Sequence, residues 1–156
     1  MHPTAESFSE KLREEHGIEI DIKEFPEGTK TAEDAAEAIG CELGQIVKSI
    51  VMQADNHLIL VLTGGENRVS EEKLAGYLDA EDVSSASPSK VKEHTGWSIG
   101  SLPPFCHKNS TDVIIDPALE KFDTVWAAAG TPEAVFSISP ELLIDVARPE
   151  TVDVFE

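Results

Sequence analysis

The chain reads as an α+β domain built on a mixed, largely antiparallel sheet. Three observations carry that expectation. Its 156 residues, 40% hydrophobic and 27% charged, suit one domain with a single core. The order strand, helix, hairpin, helix, helix and then strands lacks the regular alternation of a doubly wound fold. Two strongly apolar runs, 45–53 and 57–63, are separated only by Ala54-Asp55-Asn56, so they pair as a hairpin near the sheet centre.

The elements follow in order. Residues 4–16 carry Phe8 and Leu12 on one helical face, and Gly17 ends that helix. Ile18, Ile20 and Ile22 then alternate with acids and a lysine, the period of a half-buried strand. Pro26 and Gly28 predict a turn. Thr31, with Asp34 three residues on, caps a helix over 32–39. Gly40 and Gly44 bracket a short connection to the hairpin, and Gly64-Gly65 closes it. Ser70 caps a helix through Leu78, and a short strand follows near Val83. Ser87-Pro88 opens a helix that Gly96 ends. Strands are expected over 111–116, 124–129 and 135–138. Asp116-Pro117 opens a brief helical turn, Ser139-Pro140 opens the last helix to about Ala147, and 152–155 reads as an edge strand. No repeat, low-complexity segment or linker divides the chain, so 1–156 is expected to be one domain.

Between Gly96 and Cys106 the sequence Gly-Trp-Ser-Ile-Gly-Ser-Leu-Pro-Pro-Phe-Cys is apolar, yet suits neither helix nor strand. Gly100 admits a close approach to the main chain. Pro103 and Pro104 fix their φ angles and remove two N–H donors. Such a stiff loop either covers a core or forms a pocket wall.

Lys48 is the anomaly, since it interrupts an apolar strand between Val47 and Ser49. By alternation it shares a face with Ile46 and Ile50. Two readings stand: a lysine that snorkels into water, or a cation at the floor of a cleft, aimed at a phosphate or carboxyl oxygen. Asp116 reads as a helix cap that could also fix a loop or a water. Gly130-Thr131-Pro132 reads as a turn. Cys106 and His107 are sequence neighbours, which seldom form a catalytic dyad. The five histidines show no metal-ligand spacing, and there is neither a glycine-rich phosphate loop nor a serine elbow. No metal and no cofactor is expected.

Thirty acids against twelve Lys and Arg give a net charge of −18. A basic partner, an acidic tail and adaptation to a salt-rich cytoplasm each account for such a charge. The acids are spread along the chain between apolar core patterns, which favours the halophilic cause. No apolar run approaches the roughly 20 residues that span a bilayer, no secretory signal opens the chain, and the two cysteines form no paired motif. A soluble, cytoplasmic protein is expected.

Several pieces occur in an order that resembles the YbaK family, itself similar to the editing domain of bacterial prolyl-tRNA synthetases. They are Gln45-Ile-Val-Lys48-Ser-Ile-Val51, Gly65-Glu-Asn-Arg68-Val-Ser70 before Lys73-Leu74, and Gly100-Ser-Leu-Pro-Pro104. Asp116 ends the next strand and Ala129-Gly130-Thr131-Pro132 follows the one after. The likeness runs over about 30–148. It implies an α+β fold around a mixed, partly closed sheet, and hydrolysis of the ester joining a wrong amino acid to a tRNA.

On this resemblance Lys48 is the family's active-site lysine, Gly100 and Pro104 belong to the loop wall, and Asp116 and Gly130 lie near the pocket. Many relatives have glycine where this chain has Cys106. Backbone N–H groups around Gly100 and Ser101 are expected to face the ester, with Lys48 on the terminal phosphate or ester oxygen. Ser49, Pro103, Pro104, Asp116, Gly130 and Thr131 are expected on the substrate-binding side. An activated ester needs a held water more than a strong nucleophile, which suits a chain without a triad.

The implied partner is the 3′ aminoacyl-adenosine end of a mischarged tRNA of the Cys-tRNA(Pro) or Ala-tRNA(Pro) kind, with recruitment by a synthetase as a second route. Neither DNA nor membrane is implied. Lys48, Arg68, Lys73, Lys90, Lys92 and Lys108 are the basic residues expected to form a local patch. Two rival readings are a non-catalytic adaptor or ligand sensor of the same fold, and a thiol hydrolase using Cys106.

Overall fold

The structure is a computed structural model that describes residues 3–25 and 31–156. The turn expected at Pro26 and Gly28 lies outside the described residues. Helix α1 (Pro3–His16) buries Ala5, Phe8 and Leu12. Phe8 seats α1 on an aromatic cluster: its ring lies 5.9 Å from Trp97, 5.9 Å from Phe105 and 5.3 Å from Phe136.

Ile18, Ile20 and Ile22 are half-buried and alternate with exposed Glu19, Asp21 and Lys23, as their spacing predicts. The strand itself is shorter: only Ile22–Glu24 (β1) pairs, with Phe136, Val135 and Ala134. Alternation records burial, and an extended segment resting on a core shares it without a neighbouring ladder.

The four later helices begin where their caps predict. In α2 (Ala32–Ile39) the Thr31 hydroxyl accepts from the Asp34 N–H at 3.1 Å. In α3 (Glu71–Leu78) Ser70 accepts from Lys73, in α4 (Pro88–Thr95) Ser87 from Lys90, and in α5 (Pro140–Ala147) Ser139 from Leu142. Each bond satisfies a backbone donor that the first helical turn leaves unpaired.

The hairpin is β2 (Ile46–Ala54) with β3 (His57–Gly64), in register from Val47↔Gly64 to Ala54↔His57. The other strands are β4 (Val83–Ser85), β5 (Asp112–Ile115), β6 (Val125–Ala128), β7 (Ala134–Ile138) and β8 (Glu150–Thr151). They form one mixed sheet in the order β1-β7-β6-β2-β3-β5-β8, with β4 on β2. The β2–β6, β3–β5 and β5–β8 pairs are parallel and the rest antiparallel. The path has two ends, so the mixed sheet does not close into a barrel.

The expected edge strand over 152–155 is displaced. Pairing occurs at Glu150–Thr151, while Val154 and Phe155 turn inward and bury fully, Phe155 keeping one bridge to Val69. Apolar burial wins over ladder pairing for those two side chains.

The decisive feature is the edge of β2 that faces away from β3. Strand β6 pairs with Ile46 and Val47, and β4 pairs with Met52, Gln53 and Ala54. Residues 48–51 lie between them without a strand partner on that edge. The Val51 carbonyl there accepts from the Ala86 N–H at 3.0 Å. In an antiparallel ladder alternate residues point their N–H and C=O to the same edge, so those of Ser49 also face this gap.

Candidate active site

A pocket of about 370 Å³ occupies the gap. One wall comes from α2, through Thr31, Ala32 and Ala35. Ile46 to Val51 of β2, with Trp126, Ala127 and Ala128 of β6, form its floor, and Ile99, Gly100 and Leu102 close it from the 96–106 loop. Because the opening passes through the sheet, residues from both faces of β2 line it.

Lys48 lines this pocket, half-buried, and its Nζ donates to the Asn67 carbonyl at 2.7 Å. Burial lowers its pKa below the ordinary lysine value; Glu33 and Asp116 pull it back up, while Arg68 pushes it further down. Lys48 is thus half-desolvated beside the pocket, with its ammonium on a backbone carbonyl.

Its aim is set by Asp116, which is 2% exposed. One carboxylate oxygen accepts from the Gly64 N–H at 3.0 Å and from the Asn67 side-chain amide at 2.7 Å. The other accepts from the Ala118 N–H at 2.9 Å, capping the 3₁₀ turn Pro117–Lys121. Asp116 therefore caps a helical turn and fixes a loop at once, and that loop carries the carbonyl on which the Lys48 ammonium rests. Gly65 lets the loop lie flat, since a Cβ there would run into the Leu43 carbonyl oxygen.

The 96–106 loop fulfils both of its readings along different stretches. Trp97, Leu102 and Phe105 are buried in the main core, and the Trp97 indole donates to the Cys106 carbonyl at 3.0 Å. The tip faces the pocket: Ile99 is 54% exposed and Gly100, at φ 87°, lines the cavity with open space around its Cα.

Lys48, Ser49 and Gly100 are thus brought to one cavity. The remaining expected site residues stand behind it. Ser101 is buried; its N–H and hydroxyl both donate to the Ser98 carbonyl, so that N–H is committed within the loop rather than turned to a ligand. Pro103 is buried and its carbonyl accepts from His107 at 2.7 Å. Pro104 lines a separate cleft beside Cys106 and His107. Thr131 shapes the β6–β7 turn, accepting from the Glu133 N–H.

Gly130 fastens that turn to the loop: its N–H donates to the Ser101 carbonyl at 3.1 Å. At φ 92° a Cβ would sit 2.6 Å from the Trp97 ring. Gly130→Ala is therefore expected to destabilise the fold by about 2–4 kcal/mol through strain and overlap together, read as a lower denaturant midpoint. An unchanged midpoint would contradict the packing described.

The basic patch is not assembled as expected. Lys73 bonds the Phe155 carbonyl and lies 3.8 Å from Asp153, Lys90 bonds Gln53, and Lys92 bonds the Gly96 carbonyl. Of the six residues only Lys48 lines the pocket. The thiol reading loses its chemistry: Cys106 is buried and its thiol is pushed up to about 12 by burial, the wrong direction for a nucleophile. Its φ of 61° is one that glycine adopts freely.

Sequence reasoning missed Trp126, the α2 wall and the anchoring part of Asn67. It also missed the state of Ser49, whose hydroxyl is buried at the pocket wall with no hydrogen-bond partner.

An open mixed sheet is thus cut by a lysine-lined slot and closed by a Gly-x-x-x-Pro loop. The chain belongs to the aminoacyl-tRNA editing domain family, whose pattern matches residues 26–146. It is 28% identical over 132 residues to the multifunctional Ser/Thr-tRNA deacylase ProXp-y of Escherichia coli K12, covering 81% of this chain and 79% of that one. It is 34% identical over 102 residues to a proline–tRNA ligase of Lactococcus lactis, covering 65% of this chain but only 16% of the ligase. The crystal structure of a protein proposed to be a trans-editing enzyme for prolyl tRNA synthetase superposes with a TM-score of 0.93 at 33% identity, over 100% of this chain and 99% of that one.

Proposed function

We propose that the chain edits in trans, hydrolysing the ester of a small amino acid wrongly joined to a tRNA of the proline kind, with Cys- or Ala-tRNA(Pro) as the substrate type. The observation that carries this reading is the convergence of the Lys48 ammonium and the Gly100 backbone on one slot in the sheet. Lys48 holds the terminal phosphate or the ester oxygen. The Gly100 main chain and the free edge of Ser49 offer backbone groups to the carbonyl and the α-amino group. An ordered water, assisted by the ribose hydroxyl of the substrate, attacks the carbonyl carbon; the ester C–O bond breaks and the proton passes to the departing ribose oxygen.

The test is a panel of tRNA(Pro) charged with cysteine, alanine, serine or threonine, assayed in concentrated salt. Release of at least one amino acid above the uncatalysed rate is expected. Hydrolysis of none would favour the adaptor reading. The salt condition follows from the charge of −18, which fits a salt-rich cytoplasm and predicts weak binding to free tRNA, with a synthetase as the recruiting partner. Among the described residues no helix is long and apolar enough to cross a membrane.

A further inference from the structure

The register of the sheet puts a second lysine on the same track as Lys48. Lys23 lies opposite Val135, and Val135 lies opposite Ala128. The parallel register Ile46↔Trp126, Val47↔Ala127, carried one step further, sets Ala128 level with Lys48. Residues directly opposite in a sheet share a face. Lys23, Val135, Ala128 and Lys48 therefore form one row on the α2 side of the sheet, three strand spacings or about 14 Å from end to end. Val135 and Ala128, between the two lysines, both line the pocket.

Lys23 is held over this face. Its ammonium lies 5.1 Å from the centroid of the Trp126 ring, and Trp126 also lines the pocket. Unlike Lys73, Lys90 and Lys92, it makes no hydrogen bond or ion pair among the described residues, so its charge is available to a ligand. In the other direction from Lys48 the row is closed: Thr63, opposite Lys48, is fully buried, and the loop held by Asp116 stands there.

We propose that the single-stranded 3′ end of the substrate RNA leaves the slot along this row, with its ester beside Lys48 and an upstream phosphate on the Lys23 ammonium. Trp126 is the seat that keeps Lys23 on the track instead of splayed from the sheet edge. This rests on the reading of the slot as an aminoacyl-tRNA site. It also answers the charge problem: a chain of −18 contacts RNA through a cation fixed at one point on the exit path, not through a broad basic surface.

The experiment compares the wild type, Lys23→Ala and Lys92→Ala on two substrates, a mischarged tRNA and the matching 3′-aminoacyl-adenosine, which has no upstream phosphate. Lys92→Ala makes the same change in net charge at an ammonium already bonded to the Gly96 carbonyl. For the tRNA, Lys23→Ala is expected to raise KM several-fold with kcat unchanged. It should also flatten the slope of log KM against log salt by about 0.7, the loss of one phosphate contact on a single strand. For the aminoacyl-adenosine, all three proteins should behave alike. Lys23→Ala with the tRNA KM and salt slope of Lys92→Ala, while the wild type hydrolyses both substrates, overturns the path and leaves the deacylase reading intact. Hydrolysis of neither substrate by the wild type overturns the deacylase reading, and the path with it.

Discussion

Lys48→Ala is expected to lower kcat for deacylation by about 10²–10³-fold while the protein stays folded. The side chain lines a cavity and its ammonium is held by one carbonyl, so truncation removes the charge that the proposed mechanism sets on the ester without opening the core. The pH profile adds a signature. In the proposed mechanism the active form is the ammonium, which exists below the folded-state pKa. Burial has lowered that pKa, so activity above the uncatalysed background should be full at lower pH and decline as pH rises, before an ordinary lysine would titrate. Lys48→Arg, whose charge persists, should lose that alkaline decline in whatever activity it retains. Wild-type rates in Lys48→Ala would remove the residue from the mechanism.

Asp116→Ala should produce the largest loss of stability among the site substitutions. Three donors converge on a carboxylate that is 2% exposed: the Gly64 N–H, the Asn67 amide and the Ala118 N–H. Removing it leaves buried donors unsatisfied, at a cost of about 3–5 kcal/mol. For a chain of this length the melting temperature should fall by on the order of 10 °C. Asp116→Asn keeps an acceptor and should recover part of that loss. Its activity should stay below wild type, because the Asn67 carbonyl that steadies Lys48 is set by the same carboxylate. A melting temperature unchanged in Asp116→Ala would mean that the loop is held by something else.

The local level was well written in the sequence. Thr31, Ser70, Ser87 and Ser139 each cap the helix they announce, because a cap is a contact over three residues. The hairpin was equally clear from two apolar runs and a tight turn. Failures came where long-range pairing decides. Ile18 and Ile20 alternate yet have no ladder, and Val154 and Phe155 prefer the core to an edge.

The site shows the same division. Lys48 stood out as a charge in an apolar strand, and Gly100 as a glycine in a stiff loop. That Asp116 acts through Asn67 over 49 residues of separation leaves no trace in spacing. Nor could the Lys23 row be read, since it needs the order β1-β7-β6-β2, in which β6 and β7 form a local hairpin but the β1–β7 and β6–β2 pairs join strands distant in sequence.

The interruption along β2 also acts as a ruler. Its limits are Val47, the last residue held by β6, and Met52, the first held by β4, five residue steps or about 17 Å apart along the strand. Exchanging side chains on the walls can narrow or widen this aperture but cannot lengthen it. Only sliding β4 or β6 along β2 would do that, in jumps of two residues to keep their side chains on their present faces. The length of the opening is therefore set by main-chain register, and its width by side chains.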